Sequence, residues 1–397
     1  MAHQLLIAGA GIGGMSAALA CAREGHTVTL LEQASAWQPV GAGIQMGPNA
    51  TRQLQAWGLN VGLDAMAARP QNLQVRDAQR GSVCGQMRLG DDFLQRYGAP
   101  YLTMHRADLQ GLLAMTLAGT PGVQLTMGTE VQSLTQSPGA VQIGVQLGDV
   151  KPVQTAVQME AQALVAADGL WSRVREAVLH DGLPVATGHT AYRALLKQSD
   201  LPKTLRNQDV TAWLGPDMHA VHYPVCRGEW LNVAVFLESP KSLEASGWHA
   251  AGDAEVLRNS TLHCHASLQN LLQAAGDWGI WSLHIRPPLR GPEEMAQGRV
   301  ALLGDAAHPM LPYLAQGAGM AIEDAACLAQ SLSVGSDLPV ALQAYANARW
   351  RRNARVQSRA GRNSKIFHAK GLIRWGRNWL MQGLGRHVLD VPWLYRH

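Results

Sequence analysis

Six residues near the start of the chain, Gly9-Ala10-Gly11-Ile12-Gly13-Gly14, restrict its fold more than any other feature. They follow a short apolar run at 4–8 and open a stretch, 13–25, whose alanines and leucines recur at helical spacing; a β-branched run at 27–31 then ends in Glu32. The segment reads as strand, glycine turn, helix and strand. In G-x-G-x-x-G one glycine makes the tight turn, one lets the backbone approach a pyrophosphate and one allows close helix packing, while the helix N-terminus faces the phosphates. Six residues alone are a weak signal. Glu32, 18 residues after Gly14, strengthens it, because a carboxylate at the end of the second strand accepts the hydrogens of an adenosine ribose diol and disfavours a 2′-phosphate. Gly9, Gly11, Ile12, Gly14 and Glu32 are thus expected to hold FAD or NAD rather than NADP.

The remaining chain can build a large fold around this unit. Of its 397 residues 47% are hydrophobic and 16% charged, well under the roughly 25% charged of an average soluble domain, which excludes a disordered tail. The length suits one large α/β architecture with an inserted sheet. Strand signals recur at 141–147, 163–167 and 300–303, and 319–331 reads as a helix. From 189 to 237 closely spaced strands rich in Val, Thr, Tyr and Trp predict an antiparallel sheet inserted into the first domain. Five cysteines (Cys21, Cys84, Cys226, Cys264, Cys327) without a C-x-x-C pair argue for a reducing compartment, the cytoplasm. The apolar stretch 5–22 is broken by four glycines and has no Lys or Arg before it, so it reads as strand and helix rather than signal peptide.

A second set of residues separates FAD from NAD. Residues 299–303 lead into Gly304-Asp305-Ala306-Ala307-His308-Pro309, and Pro312-Tyr313-Leu314-Ala315-Gln316-Gly317-Ala318-Gly319 opens a helix carrying Glu323 and Asp324. This pattern resembles the G-D flavin motif of the single-component (group A) flavoprotein aromatic hydroxylases. Ala166-Ala167-Asp168-Gly169 with Ser172 and Arg175 resembles their D-G motif, and His105-Arg106-x-Asp108-Leu109 their internal arginine motif. Four motifs in the family's order span residues 9–324. The resemblance implies an α/β chain: a Rossmann-like FAD-binding domain of the para-hydroxybenzoate hydroxylase kind (1–72, 102–178 and 294–341), an inserted, mainly antiparallel substrate domain (73–101 and 179–293) and a C-terminal helical segment (342–397). It also implies that Asp305 bonds the ribityl hydroxyls and that Arg106 lies beside the ribityl and diphosphate groups. Asp168 and Arg175 would shape the groove for the flavin phosphates and a transient NADH or NADPH, although Asp168-Gly169 taken alone is an ordinary turn. Gly317, Ala318 and Gly319, just before a helix, would stabilise charge on the reduced flavin. Gly41-Ala42-Gly43-Ile44-Gln45 resembles the segment beside the isoalloxazine, with Gln45 at the ring and Asn49 capping a helix.

On the substrate side, His219-Ala220-Val221-His222-Tyr223 lies in the inserted sheet, where residues two apart share a face; His219 and Tyr223 point one way and His222 the other. The H-x-x-x-Y pair is similar to one in the 3-hydroxybenzoate 6-hydroxylase and 6-hydroxynicotinate 3-monooxygenase branch, where it contacts the substrate hydroxyl. A base near neutrality suits the chemistry, because electrophilic oxygen transfer from a flavin C4a-hydroperoxide needs an electron-rich ring and a phenolate is richer than a phenol. Taken alone, His219 is better read as a half-buried histidine bonded to a carbonyl. Pro312 stands where the 3-hydroxybenzoate branch is expected to carry glutamine, which brings the motif nearer to the hydroxynicotinate and salicylate hydroxylase types. Trp213 is a candidate to flank an aromatic substrate, and Arg193 to meet its carboxylate unless it is a surface arginine. His263-Cys264-His265 lacks a second pair at ligand spacing and reads as exposed histidines on a helix, so no metal is expected.

The net charge of +4 hides an asymmetry: residues from 349 onward carry +11 and the preceding body −7. That basic segment, a long helical pattern from 342 onward, is read first as a solvated face packed on the acidic body or on a second subunit in a homodimer, then as a peripheral contact with anionic lipid, and last as a nucleic-acid patch, since no base-stacking aromatics interleave its arginines. The expected activity is NAD(P)H- and O₂-dependent hydroxylation of a monocyclic hydroxylated aromatic acid. The alternatives are a membrane-associated flavin hydroxylase or epoxidase of a polyprenyl or terpenoid substrate, and a flavin-binding redox protein without hydroxylation.

Overall fold

The apolar run at Gln4–Ala8 and the β-branched run at Thr27–Leu31 pair in parallel, with helix Ile12–Arg23 crossing between them. In the computed structural model, which describes residues 2–37, 42–148, 157–238, 250–251, 254–335 and 337–396, these two strands lie within a six-stranded sheet. Its order is Ala296–Gln297, Val300–Leu302, Ala163–Ala166, Gln4–Ala8, Thr27–Leu31 and Val123–Thr126. All neighbours run parallel except the first pair. Leu5, Ile7, Val28, Leu30 and Leu164 are buried beside Met15, Leu109, Ile322 and Leu328 from flanking helices, which is why these strands read as continuous apolar runs rather than alternating ones. Strand Val141–Leu147 pairs instead within a separate three-stranded antiparallel sheet.

The inserted sheet has eight strands: Ala250–Ala251, Gly279–Ile285, Val185–Lys197, Trp230–Glu238, Met218–Val225, Val210–Gly215, Asn72–Asp77 and Val83–Arg88. Among its described pairings only Val210–Gly215 with Asn72–Asp77 is parallel. Its back face shares a core with helices Ala254–Thr261 and Ala266–Gln273 through Leu257, Leu268 and Leu271 against Trp213, Val233 and Val235. Its front face is left for a cavity.

The C-terminal segment departs from one continuous helix. Leu338–Phe367 is capped by Asp337, whose side chain accepts the Val340 N–H. The chain then breaks, Gly371 taking φ +53, and continues as Gly371–Leu384. Part of its positive charge is engaged with the body. Arg349 bonds Asp324 and Glu323, each at 2.7 Å, and Arg352 bonds Glu323 at 2.6 and 2.7 Å. Asp324 also takes His308 Nε2 at 2.5 Å and Asn353 at 3.0 Å. Arg374 donates to Asp77 at 2.5 and 3.0 Å, fastening the last helix to the eight-stranded sheet. That helix still exposes Leu372, Ile373, Trp375 and Trp379. No helix among the described residues is long and apolar enough to cross a membrane.

Two outcomes follow from these contacts. Arg349→Met leaves two buried carboxylates short of a cation and should cost about 3–5 kcal/mol of stability in urea titration. At Asp77 burial raises the carboxyl, but the Arg374 bond, the Arg80 N–H and Asn378 outweigh it and hold it at about 2, below the roughly 3.9 of an unfolded chain. A depressed folded value means that its stabilisation is complete above about pH 4 and fades as pH falls toward 2. Wild-type stability should therefore drop through that window more steeply than that of Asp77→Asn, read by tryptophan fluorescence.

Candidate active site

The glycine loop shows which of its positions serve the protein and which leave room for a guest. Gly9 has φ +96, and a Cβ there would lie 2.5 Å from the Ala167 carbonyl oxygen; one on Gly14 would lie 1.8 Å from the Gly9 oxygen. Those two glycines permit close packing of turn, helix and neighbouring strand. Gly11, at the helix N-cap with φ −69, meets nothing within 4 Å. It lines a cavity of about 1820 Å³ together with Gly9, Ile12 and Glu32. Glu32 is held in place by accepting the Ala10 N–H at 2.8 Å and the Ala34 N–H at 2.9 Å.

From this end the cavity runs past Gln45, Arg106, Asp168, Asp305, Gly317 and Ala318 to the front of the eight-stranded sheet. Arg106 opens helix Arg106–Ala118, and its N–H donates to the Ala42 carbonyl. Asp305 faces the cavity; burial raises its carboxyl, opposed by His308 and Arg106. Asp168 accepts the Val174 N–H at 3.4 Å with one oxygen, while its buried Oδ1 lacks a hydrogen-bond partner among the described residues, and burial raises this carboxyl too. Arg175 points elsewhere: it donates to the Ala306 and Ala307 carbonyls at 3.0 and 2.5 Å and to Asp181, so it fixes the loop that carries Asp305. Gly319 is turned away from the cavity, packed where a Cβ would approach Gln316 and Asn49. Asn49 is not a cap, because Gly47 takes that position; its amide links to Gln316 at 2.9 Å and Glu323 at 2.6 Å. Gly41 lies outside the described residues.

On the front face of the sheet, His219, Val221 and Tyr223 share a side because alternate strand residues do. Partner strands complete that face with Val210, Ala212, Leu214, Ala234 and Phe236, all lining the cavity. The Tyr223 hydroxyl is raised by burial, opposed by Arg193 and a bond with Gln45; Gln45 also accepts from Tyr101 at 2.8 Å. Arg193 is no surface residue. It lines the cavity with its guanidinium 3.9 Å over the Trp281 ring, its pKa lowered to about 10 by burial and then modulated by Tyr223 and Arg106. Among the described residues it has no carboxylate partner and no side-chain hydrogen bond. Pro312 lines the same space.

Trp213 requires a correction as a ring-flanking residue. Its register opposite Ala220 puts it on the back face with His222, whose ring stacks at 6.5 Å, and it belongs to the core there. His263 and Cys264 lie in the turn between two helices rather than on one, and His265 caps the second by accepting the Ser267 N–H at 3.2 Å.

His219 has neighbours that no local pattern announced. Its ring stacks on Phe236 at 4.6 Å and meets Tyr313 edge-on at 4.5 Å, and its Nδ1 lies 2.7 Å from Nε2 of His368. Tyr313 bonds His189 at 2.9 Å. Burial, then His368 and His189, hold His219 well below the usual imidazole range, so it is neutral. His189, Glu238 and His368 bring ligand-type atoms within 4.8 Å of one another. Both ring nitrogens of His368 are already bonded, to His219 and Glu238, which accounts for the cluster without an ion.

A long cavity with an open glycine cradle, a ribose-type carboxylate at one end and an unpartnered buried aspartate oxygen midway fits a dinucleotide, and its volume exceeds the roughly 300–1,000 Å³ of ordinary ligand pockets. Residues 2–360 match the family model described as an FAD binding domain. The chain belongs to that family. It is 39% identical over 398 residues to 3-hydroxybenzoate 6-hydroxylase 1 of Aquipseudomonas alcaligenes, covering 100% of this chain and 98% of that protein. It is 34% identical to 6-hydroxynicotinate 3-monooxygenase of Bordetella bronchiseptica, covering 94% and 93%. The fold matches that of Klebsiella pneumoniae HpxO, solved with FAD and uric acid, with a TM-score of 0.83, 23% identity and coverage of 98% and 94%. The chain is thus an FAD-dependent monooxygenase with FAD as its cofactor.

The glycine loop of this FAD-binding chain separates packing from ligand binding. Gly11→Ala should leave the melting temperature of the apoprotein within about 2 °C, because a Cβ there meets no atom of the described residues within 4 Å, yet weaken FAD binding by about tenfold or more, since backbone approach to the pyrophosphate depends on that glycine. Gly14→Ala should fail to give folded protein. Thermal melts and flavin fluorescence titration distinguish the two.

Proposed function

We propose that the chain hydroxylates a monocyclic aromatic acid bearing a ring hydroxyl, of the 3-hydroxybenzoate, 6-hydroxynicotinate or salicylate kind, with NAD(P)H as electron donor and O₂ as co-substrate. The observation that carries this reading is the front face of the sheet: an otherwise apolar wall offering a neutral imidazole, a phenol and an arginine with no anionic partner among the described residues. An aromatic ring suits the apolar wall, a carboxylate suits Arg193 as a two-toothed donor, and a ring hydroxyl suits His219 and Tyr223. Pro312 contributes shape alone.

Bound FAD, reduced by the nicotinamide, supplies the activated oxygen. Gly9, Gly11, Ile12, Glu32 and Arg106 hold its adenosine and diphosphate side, Gly14 acting only through the close packing of the turn; Asp168 borders the phosphates, and Asp305, Gly317, Ala318 and Gln45 lie along its ribityl and ring side. Gly319 acts only by letting that helix start pack closely. The protein's part in the reaction is to orient the acid, to take the hydroxyl proton at Nε2 of His219 with Tyr223 donating to the same oxygen, and to exclude water by the apolar wall.

Cytoplasmic residence accords with five free cysteines. The division into a discontinuous flavin domain, an inserted substrate domain and a C-terminal helical segment accompanies this reading. For the apolar stripe Leu372, Trp375 and Trp379, a homodimer contact is preferred to a lipid surface; sedimentation with and without anionic vesicles separates them.

NADH and NADPH oxidation by the FAD-loaded enzyme, with product and peroxide measured, tests the assignment. One of the three acids should accelerate oxidation and emerge hydroxylated with little peroxide. His219→Asn should lower kcat/KM by about 10²–10⁴-fold, whereas Arg193→Met should act mainly by raising KM for the acid. Peroxide without product for every acid would overturn the reading.

A further inference from the structure

His219 continues beyond the cavity wall. Its Nδ1 lies 2.7 Å from Nε2 of His368, and Nδ1 of His368 lies 3.1 Å from Oε1 of Glu238. The His368 side chain is 1% exposed and that of Glu238 46%, so the three groups lead from the interior of the cavity to solvent. Glu238 opens on a second cleft, lined also by Gln79, Asp217 and His263. In that cleft Asp217 pairs with Lys370 at 2.5 Å.

The protonation pattern follows from the outer end inward. Burial and then Asp217 raise the Glu238 carboxyl, with Lys370 opposing; in its ionised form it only accepts, so His368 donates from Nδ1 to its Oε1. A neutral His368 then carries its lone pair at Nε2, which obliges His219 to donate from Nδ1. The lone pair of His219 is thereby assigned to Nε2, which has no hydrogen-bond partner among the described residues. Each member is thus oriented to receive on the cavity side and to give on the solvent side.

We propose that His219, His368 and Glu238 form a relay that carries the ring-hydroxyl proton of the substrate from the cavity to the second cleft. The proposal rests on the reading of His219 as the base. Nε2 of His219 takes the hydroxyl proton while its Nδ1–H passes to Nε2 of His368. The Nδ1–H of His368 passes to Glu238, which releases it to water. Each imidazole gains one proton and loses one, the phenolate keeps the electron pair of its broken O–H bond, and no redox change occurs. Reprotonation of the product oxygen along the same path restores both rings.

The surroundings favour transit over storage. His189 stacks on His368 at 5.1 Å. Burial, then His189, lower His368 to about 3, with Asp217 opposing and Arg377 adding to the effect. Neither ring can retain the proton as an imidazolium in this enclosure, so a base at His219 needs an onward acceptor. The Nδ1 of His189 is engaged by Tyr313, which leaves His368 as the outlet of His219.

The test reads proton movement. Stopped-flow mixing of the FAD-loaded enzyme with 3-hydroxybenzoate, 6-hydroxynicotinate or salicylate, in weak buffer with a pH indicator, follows proton release, while the ligand's ultraviolet band reports its ionisation. In His368→Gln an amide can bond at both ends but cannot pass a proton. That variant and Glu238→Gln should bind the acid and FAD within about twofold of wild type, yet slow release by about tenfold or more; added imidazole should restore the rate in His368→Ala. If His368→Gln does not fold, Glu238→Gln at the exposed end carries the test. Wild-type release rates in the folded variants would overturn the relay alone. A wild type that binds the acids without ionising any of them would overturn the base assignment, and the relay with it.

Discussion

The cavity keeps its shape because of a buried ionic cluster that touches neither end of it. Glu323 and Asp324 lie on helix Gly317–Val334, and Arg349 and Arg352 on the long helix behind it. Enclosed charges of this kind are costly unless every partner is present; here Asn49, His308 and Asn353 complete the set. The cluster therefore joins four pieces of chain at once: the helix start that faces the cavity, the segment around Pro48, the loop bearing Asp305 and the C-terminal helix. Gly317 and Ala318 can be small and unbonded because their positions are dictated from behind.

The eight-stranded sheet solves a different problem, that of presenting few polar groups on an apolar wall. Strand alternation sends Trp213 and His222 into a helix-covered core and leaves His219 and Tyr223 in front. One strand thus serves two environments without conflict, and the back-face core stiffens the surface on which the front-face chemistry stands. Arg193 is tolerated because the Trp281 ring lies beneath its guanidinium, a contact that partly compensates a desolvated cation.

What could be read from the chain was what is local in it. The turn at Gly9–Gly14, the partnership with Glu32 and the alternation that separates His219 from His222 are all set by neighbours a few residues apart or by a fixed spacing. The Asp305 and Arg106 positions were legible only through resemblance, since nothing in their immediate pattern demands a cavity. Readings went astray where tertiary placement decides. Trp213, a candidate to flank the substrate, lies on the back face; Asn49 was given a cap that Gly47 occupies; Arg175 and Gly319, expected at the flavin, serve packing; and the C-terminal segment, read as one helix, breaks after His368. His368 itself reaches His219 across 149 residues, and its segment drew attention only as a run of positive charge.

The turn at Pro392–Tyr395 has a place in the cavity as well. Leu394 and Tyr395 line it, Tyr395 packs against Phe93 and Tyr97 at 5.2 and 5.3 Å, and Arg352 grips the Trp393 and Leu394 carbonyls at 2.9 and 2.7 Å. The glycine loop and this wall are far apart in sequence yet border one space. The enclosure is therefore a property of the whole tertiary fold, and an intact glycine turn does not by itself make a closed site for the dinucleotide.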